Sequence, residues 1–159
     1  MKNTQTNKLK LLTVKNKRGE AFLRRRLPNF IFESVSQKEI NETVELMRKI
    51  MEENNGVGLA ANQIGMSWRL FVAKDGNKFY AVFNPEIISR SKESSVMEEG
   101  CLSVPEAVGL VERLEKIILT GQNKNGRKIK IKARDILARI FQHEIDHLNG
   151  VLFTEKIKK

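Results

Sequence analysis

The sequence of 159 residues contains a single cysteine, so no disulfide can form within the chain and disulfide-stapled folds are excluded. No apolar run approaches the ~18 residues that a membrane-spanning helix needs. The basic N-terminus is too weakly apolar for a secretory signal. These absences favour a cytoplasmic protein, with an organelle targeting peptide as the alternative, and predict neither a membrane partner nor a disulfide-linked partner.

Histidine is also scarce: the chain has two, and they lie four residues apart. His143, Glu144 and His147 form an H-E-x-x-H motif, in which two imidazoles bind a divalent metal and the glutamate handles protons. The spacing of apolar residues predicts one amphipathic helix over Asp135–Leu148, which places both imidazoles on one buried face. Asp135 is the predicted cap of this helix. The alternative is a pair of ordinary histidines that happen to share a face.

A metal site needs a third protein ligand. In one zinc-protease pattern that ligand is a third histidine, but the matching position here is Phe153. Cys101, in the segment E-E-G-C-L-S, is the upstream candidate, because two imidazoles and a thiolate leave one position of a tetrahedral site open for water. The alternative for a lone cysteine is a small buried apolar residue.

The net charge of +10 is unevenly distributed. Basic residues are concentrated in residues 1–26, 122–134 and 154–159, so the remainder of the chain is acidic. This pattern suggests work near a polyanion such as RNA, although a solvated surface explains it equally well.

The rest of the chain predicts a single α+β domain over residues 1–159, of which 1–18 form a basic N-terminal extension. Its fold class is antiparallel β-sheets around a central C-terminal α-helix that carries the H-E-x-x-H ligands, together with an N-terminal helix. That helix begins at the capping sequence Ser36–Glu39 and ends near Asn54. The predicted strands are Leu11–Val14, a hairpin of Trp68–Lys74 and Lys78–Phe83, Glu86–Arg90 after a break at Asn84-Pro85, one strand over Leu110–Thr120, and Lys128–Lys132.

Three segments together resemble the signature segments of one enzyme family. Residues 56–63 (G-V-G-L-A-A-N-Q), 99–103 (E-G-C-L-S) and 142–148 (Q-H-E-I-D-H-L) are similar, in order and separation, to those of peptide deformylase. The resemblance implies hydrolysis of the N-formyl group from the formylmethionine of newly made polypeptides, with release of formate. It also implies a metal held by Cys101, His143 and His147, with Fe(II) the usual ion and Zn(II), Ni(II) or Co(II) as alternatives.

The resemblance also implies roles for individual residues. A metal-bound hydroxide attacks the formyl carbon, the Gln63 side chain and the Leu102 backbone N–H stabilise the oxyanion, and Glu144 shuttles the proton. Glu99 and Arg113 resemble a supporting ion pair of the family, although spacing alone is equally compatible with two unrelated surface charges.

Substrate contacts are expected from Gly58, through its backbone, and from apolar side chains around the methionine, with Ile64, Leu102 and Ile140 as candidates. Val108 stands where many bacterial members carry an arginine that contacts the substrate backbone. The expected partners are N-formylmethionyl nascent chains, with weak ribosome association through the basic segments. Two other functions compete with this one: a zinc peptidase that uses the same motif, and a basic RNA-binding protein whose metal site is only structural.

Overall fold

The computed structural model describes residues 9–159, which form three α-helices and seven β-strands. The helices are α1 (Lys17–Leu23), α2 (Gln37–Glu53) and α3 (Asp135–Leu148). The strands are β1 (Gly58–Ala60), β2 (Leu70–Asp75), β3 (Lys78–Arg90), β4 (Ser94–Cys101), β5 (Val104–Leu114), β6 (Lys116–Gln122) and β7 (Lys128–Arg134).

All strand pairs are antiparallel, and the strands form two sheets. A five-stranded sheet has the order β1-β2-β3-β6-β7, and β4 and β5 form a separate hairpin. Helix α3 packs against strands of the large sheet and also against β5. The α+β class, with its central C-terminal helix and its N-terminal helix, is therefore confirmed. Nowhere in residues 9–159 is there a helix long and apolar enough to cross a lipid bilayer.

Helix α3 has the predicted bounds, because its apolar residues repeat at helical spacing and bury Phe141, Ile145 and Leu148 against the large sheet. Its start differs from the prediction. The N-cap is Arg134, which makes no side-chain capping bond, and Asp135 is the first helical residue with φ of 54°. The cap prediction for Asp135 is therefore wrong.

Helix α2 begins as the capping sequence predicts, since the Ser36 hydroxyl accepts a hydrogen bond from the Glu39 N–H (3.2 Å). Its apolar stripe is buried. It forms a second hydrophobic core with residues just after β1 and with the face of β2 that is turned toward α2. The residues of α2 in this core are Ile40, Val44, Met47, Ile50 and Met51.

The N-terminal segment contacts the rest of the domain. Residues 1–8 of the predicted extension lie outside the described residues. The backbone N–H groups of Leu12 and Val14 donate to the carbonyls of Gln63 (2.7 Å) and Ser103 (3.0 Å). The segment Leu11–Val14 does not form the predicted strand, and α1 follows it.

The predicted strand Leu110–Thr120 is two strands in different sheets. β5 ends at Leu114 and pairs with β4, whereas β6 begins at Lys116 and pairs with β3 and β7. No glycine or proline marks the junction at Glu115, so the sequence carries no turn signal for the change of partner.

The predicted break at Asn84-Pro85 is wrong, because β3 continues to Arg90 with a register shift after Phe83. Asn84 adopts a positive φ of 48°. Its side-chain oxygen accepts from the Phe30 N–H (2.6 Å), and its side-chain nitrogen donates to the Phe30 carbonyl (3.0 Å). The Asn84 amide thus pairs with the Phe30 backbone as a neighbouring strand would. These bonds stabilise the irregularity at Asn84-Pro85, where proline would otherwise end the strand.

We predict that Asn84→Ala lowers the free energy of unfolding by about 3 kcal/mol, because it removes both bonds to Phe30 and places a less tolerant residue at positive φ. Asn55 is the matched control: its φ is 56°, and its bond to the Glu52 carbonyl (3.1 Å) is made by the backbone N–H, which alanine keeps. Asn55→Ala should cost at most about 1 kcal/mol. Urea unfolding measures both values, and equal losses would refute the bracing role of Asn84.

Candidate metal centre

Three candidate ligands meet where the β4–β5 hairpin faces helix α3. Cys101 is the last residue of β4, and His143 and His147 lie one turn apart on α3. Their donor atoms all lie within 4.8 Å of one another, and Cys101 Sγ is 3.2 Å from His147 Nε2. The structure therefore brings together all three residues that were predicted as metal ligands.

Cys101 and His143 form part of the wall of a cavity of about 520 Å³. The cavity is bounded by β1 and the preceding loop, by the β4–β5 hairpin and by α3, so a molecule in it can contact all three elements. Of the residues predicted for the site, its lining contains Gly58, Gln63, Cys101, Leu102, Ile140, His143 and Glu144.

The prediction for Ile64 is not supported by this geometry. Ile64 is 1% exposed and belongs to the core beneath α2, and it is absent from the cavity lining. The short helical turn that follows β1 directs Gln63 toward the cavity and Ile64 toward the core. Ile136, which is 46% exposed, lines the cavity beside Ile140 on α3. It is an apolar wall residue that was not among the predicted substrate contacts.

A buried ion pair supports the centre from behind. Arg113 Nε and Nη2 donate to the two oxygens of Glu99, each at 2.9 Å, and His143 Nδ1 donates to Glu99 Oε2 (3.0 Å). The structure thus favours the supporting pair over two unrelated surface charges. A carboxylate on Nδ1 fixes the orientation of a ligand imidazole and leaves its Nε2 as the acceptor nitrogen.

Charge in this cluster is balanced by close contacts. Burial alone would raise the pKa of Glu99, but hydrogen bonds from His143 and Arg113 outweigh it and hold that pKa well below its usual range. Burial opposes protonation of His143, yet hydrogen bonds with Cys101 and Glu99 raise its pKa to about 10. Burial lowers the pKa of His147 well below its ordinary value. The contacts with Glu99 and Cys101 therefore favour a positive charge at His143.

Glu144 lies beside the ligands in a different environment. It is 4% exposed, and within residues 9–159 its Oε2 has no hydrogen-bond partner. Burial raises its pKa to about 7. A Cβ atom at Gly58 would overlap the Glu144 carboxylate, so only glycine fits there without moving that group. The motif glycine thus makes room for the candidate proton carrier.

The Gln63 amide is held in one orientation. Its oxygen accepts from the Ala60 N–H (2.9 Å), and its nitrogen donates to Ser103 Oγ (3.1 Å) and to Cys101 Sγ (3.7 Å). The donor end of this side chain therefore faces the metal ligands. Ser103 has no place among the predicted site residues, because nothing in the sequence links its hydroxyl to a glutamine 40 residues away.

Arg139 is a second residue that sequence reasoning missed. It lies on α3 one turn before His143, is buried, and donates to Glu99 Oε1 (2.7 Å). The sequence does contain a signal for this role. A charged residue on the buried face of an amphipathic helix needs a charged or hydrogen-bonding partner in the interior.

The donors fit a divalent metal ion. One thiolate and two imidazoles are suitable ligands for zinc-like ions, and three protein ligands leave a coordination position open. Their mutual distances and the negative groups around His143 both fit a bound cation. The donor types do not select one ion among iron, zinc, nickel and cobalt.

Comparison with known proteins agrees with this geometry. A family model for polypeptide deformylase matches residues 14–159. The peptide deformylase of Carboxydothermus hydrogenoformans is 50% identical over 117 residues, covering 74% of this chain and 76% of that protein. For the Halothermothrix orenii peptide deformylase the identity is 44% over 122 residues, covering 76% and 79%. The crystal structure of the Thermotoga maritima enzyme superimposes with a TM-score of 0.86 at 38% identity, covering 95% of this chain and 98% of that one.

We predict that a divalent ion protects the Cys101 thiol from modification, because a coordinated thiolate is no longer free to react. Chelator-treated protein should show one reactive thiol per chain, and one equivalent of Zn(II) should protect it. In His143→Ala this protection should be lost at the same Zn(II) concentration. A thiol reagent suffices as the probe, since Cys101 is the only cysteine. Equal reactivity with and without Zn(II) would contradict the ligand assignment.

Proposed function

The chain belongs to the peptide deformylase family, and on that premise we propose how its residues divide the work. It is a metal-dependent hydrolase that removes the N-formyl group from the formylmethionine of newly made polypeptides. This assignment replaces the two alternative functions, a zinc peptidase and an RNA-binding protein with a structural metal. The observation that carries the division of roles is a buried carboxylate, Glu144, between two histidine ligands at the wall of an open cavity.

We propose that Cys101, His143 and His147 hold the metal, with Fe(II) as the ion in the cell and Zn(II), Ni(II) or Co(II) as possible replacements. A bound divalent ion supplies Lewis-acid chemistry: it polarises a carbonyl oxygen and brings the pKa of water toward neutrality. Glu99 and Arg113 hold the His143 ring in place through the bond to Nδ1.

Glu144 is the proposed proton carrier. Glu144 lines the cavity, and its buried Oε2 has no hydrogen-bond partner among the described residues, so the carboxylate has unused capacity to accept a proton. In this proposal the carboxylate takes the proton of the attacking water and delivers it to the amine nitrogen of methionine. The carbon–nitrogen bond breaks, and the products are formate and a free N-terminus.

Gln63 and Leu102 are the proposed oxyanion donors. The bond from Ala60 N–H to the Gln63 oxygen directs the amide nitrogen toward the ligands. Leu102 opens the two-residue turn between β4 and β5, so its N–H immediately follows Cys101. Donors that are fixed before reaction stabilise developing negative charge without reorganisation.

The apolar part of the cavity is the proposed methionine pocket, with Leu102 and Ile140 as wall residues, and the Gly58 backbone as a contact for the peptide. Ile136 replaces Ile64 in this proposal, because it lines the cavity and Ile64 does not. Val108 is 62% exposed and lies outside the cavity lining. Because its side chain is apolar, it offers the peptide no hydrogen bond at the position where related enzymes have an arginine.

We also propose weak association with the ribosome in the cytoplasm, through basic segments. The residues 1–8 of the basic N-terminus lie outside the described residues, but the 122–134 segment includes β7, an edge strand of the large sheet. Lys128, Lys130 and Lys132 alternate along it and are all exposed. No carboxylate of the described residues forms an ion pair with these three lysines. A strip of this kind attracts RNA phosphates in a salt-dependent way.

We predict that Fe(II)-loaded protein, prepared anaerobically, releases formate from a formyl-Met tripeptide, and that Glu144→Gln lowers kcat by at least about 10²-fold, because the proton carrier is lost. The variant should retain its metal, as judged by protection of the Cys101 thiol. Glu42→Gln, an exposed carboxylate on α2, is the matched control and should retain full activity. Wild-type turnover in Glu144→Gln would refute the proton role, and no release by loaded wild-type protein would refute the activity.

For the ribosome, we predict that co-sedimentation weakens as salt concentration rises and that it weakens further when Lys128, Lys130 and Lys132 are all changed to Gln. The matched control changes the exposed residues Lys38, Lys49 and Lys74 to Gln, which removes the same charge from elsewhere on the surface. Equal binding by the two triple variants would refute the β7 strip as the contact.

A further inference from the structure

Arg139 makes an unusual number of contacts for a residue outside the ligand set. It is 7% exposed. Its Nη1 donates to Glu99 Oε1 (2.7 Å) and to the Val111 carbonyl (2.9 Å). Its Nη2 donates to the Ser95 carbonyl (2.8 Å) and to Ser95 Oγ (3.3 Å). One guanidinium thus contacts the carboxylate behind the metal centre and both strands of the β4–β5 hairpin.

The contact with Glu99 completes a symmetric arrangement around that carboxylate. Oε2 accepts from Arg113 Nη2 and from His143 Nδ1. Oε1 accepts from Arg113 Nε and from Arg139 Nη1. Each oxygen therefore accepts two bonds, and the carboxylate cannot rotate to present another edge to His143 without breaking one of them.

The contacts with the hairpin matter because the metal donors come from two separate elements. Cys101 is supplied by the hairpin, whereas both histidines are supplied by α3. Within residues 9–159, Gln142 and Asp146 also link α3 to the hairpin, but they contact residues of β5. Among the described residues, and apart from the two ligand histidines, Arg139 is the α3 side chain that hydrogen-bonds to β4, the strand that ends at Cys101.

We propose that Arg139 is a positioning residue for the metal centre, which fixes the Glu99 carboxylate toward His143 and fixes the cysteine-bearing hairpin against the histidine-bearing helix. The inference rests on the ligand assignment in the proposed function. Loss of a residue that orients a metal ligand typically lowers metal affinity by about 10- to 100-fold. Arg139 should belong to this class although it contacts no ligand directly.

Gln142 provides a matched control on the same helix. Its oxygen accepts from the Leu114 N–H (3.0 Å), and its nitrogen donates to the Leu114 carbonyl (2.9 Å). It is as buried as Arg139 and also joins α3 to the hairpin, but it has no contact with Glu99. A purely structural role for Arg139 predicts that both substitutions act alike.

The experiment compares Arg139→Gln, Arg139→Lys and Gln142→Leu with the wild type. Zn(II) affinity is measured by competition with a chelator, followed through the reactivity of the Cys101 thiol. The free energy of unfolding is measured on metal-free protein, so that metal binding does not contribute to it. The absorption of Co(II)-loaded protein reports the geometry of the cysteine–metal bond.

Arg139→Gln should lower Zn(II) affinity by about 10- to 100-fold and shift the Co(II) spectrum. Gln142→Leu should remain within about twofold of the wild-type affinity, whatever its stability. Arg139→Lys keeps the charge but lacks the guanidinium geometry needed to bond all of these partners. Its Zn(II) affinity should therefore fall between those of the wild type and Arg139→Gln. This variant replaces Arg139→Gln in the comparison if Arg139→Gln fails to fold.

Two results would overturn the inference alone: wild-type affinity in both Arg139 variants, or affinity losses in all three variants that simply follow their losses of stability. A wild-type protein that binds no Zn(II) would instead overturn the ligand assignment, and this inference with it.

Discussion

The site depends on one buried carboxylate that is shared by three positively charged or hydrogen-donating groups. A buried charge is tolerated only when it is paired and hydrogen-bonded. Glu99 meets this requirement through Arg113, Arg139 and His143. These partners lie on β5 and α3, so satisfying one charge also determines how the hairpin sits against the helix. The position of the ligand histidine follows from that docking.

The same packing of the hairpin against α3 explains why two neighbouring buried carboxylates, Glu99 and Glu144, differ in their pKa. Glu99 remains ionised because donors surround it, whereas Glu144, the residue after His143 on α3, lacks such donors on one oxygen. The difference lies in their partners rather than in their burial. In the proposed division of roles, one carboxylate orients the ligand histidine and the other carries the proton.

The features that local sequence determines were predictable. The bounds of α3, the cap at Ser36 and the hairpin around Gly76 each depend on residues within a few positions of one another. The clustering of Cys101, His143 and His147 was also predictable, because scarcity of histidine and cysteine leaves few candidates. The strand change at Glu115 was not, since no glycine or proline marks the point where the chain changes partner. The bracing by Asn84 and the role of Arg139 were also missed, because their partners lie 54 and 40 residues away.

The distance in sequence between the ligands has a consequence for folding. Cys101 and His147 are 46 residues apart, and the hairpin and the helix each contribute only part of the donor set. A chain in which either element is unfolded therefore has no complete site, and the ion binds essentially the native state alone. Such binding stabilises the folded protein in proportion to the logarithm of free metal concentration. With the proposed ligand set, metal supply therefore adds to the resistance of this enzyme to unfolding, besides its catalytic competence.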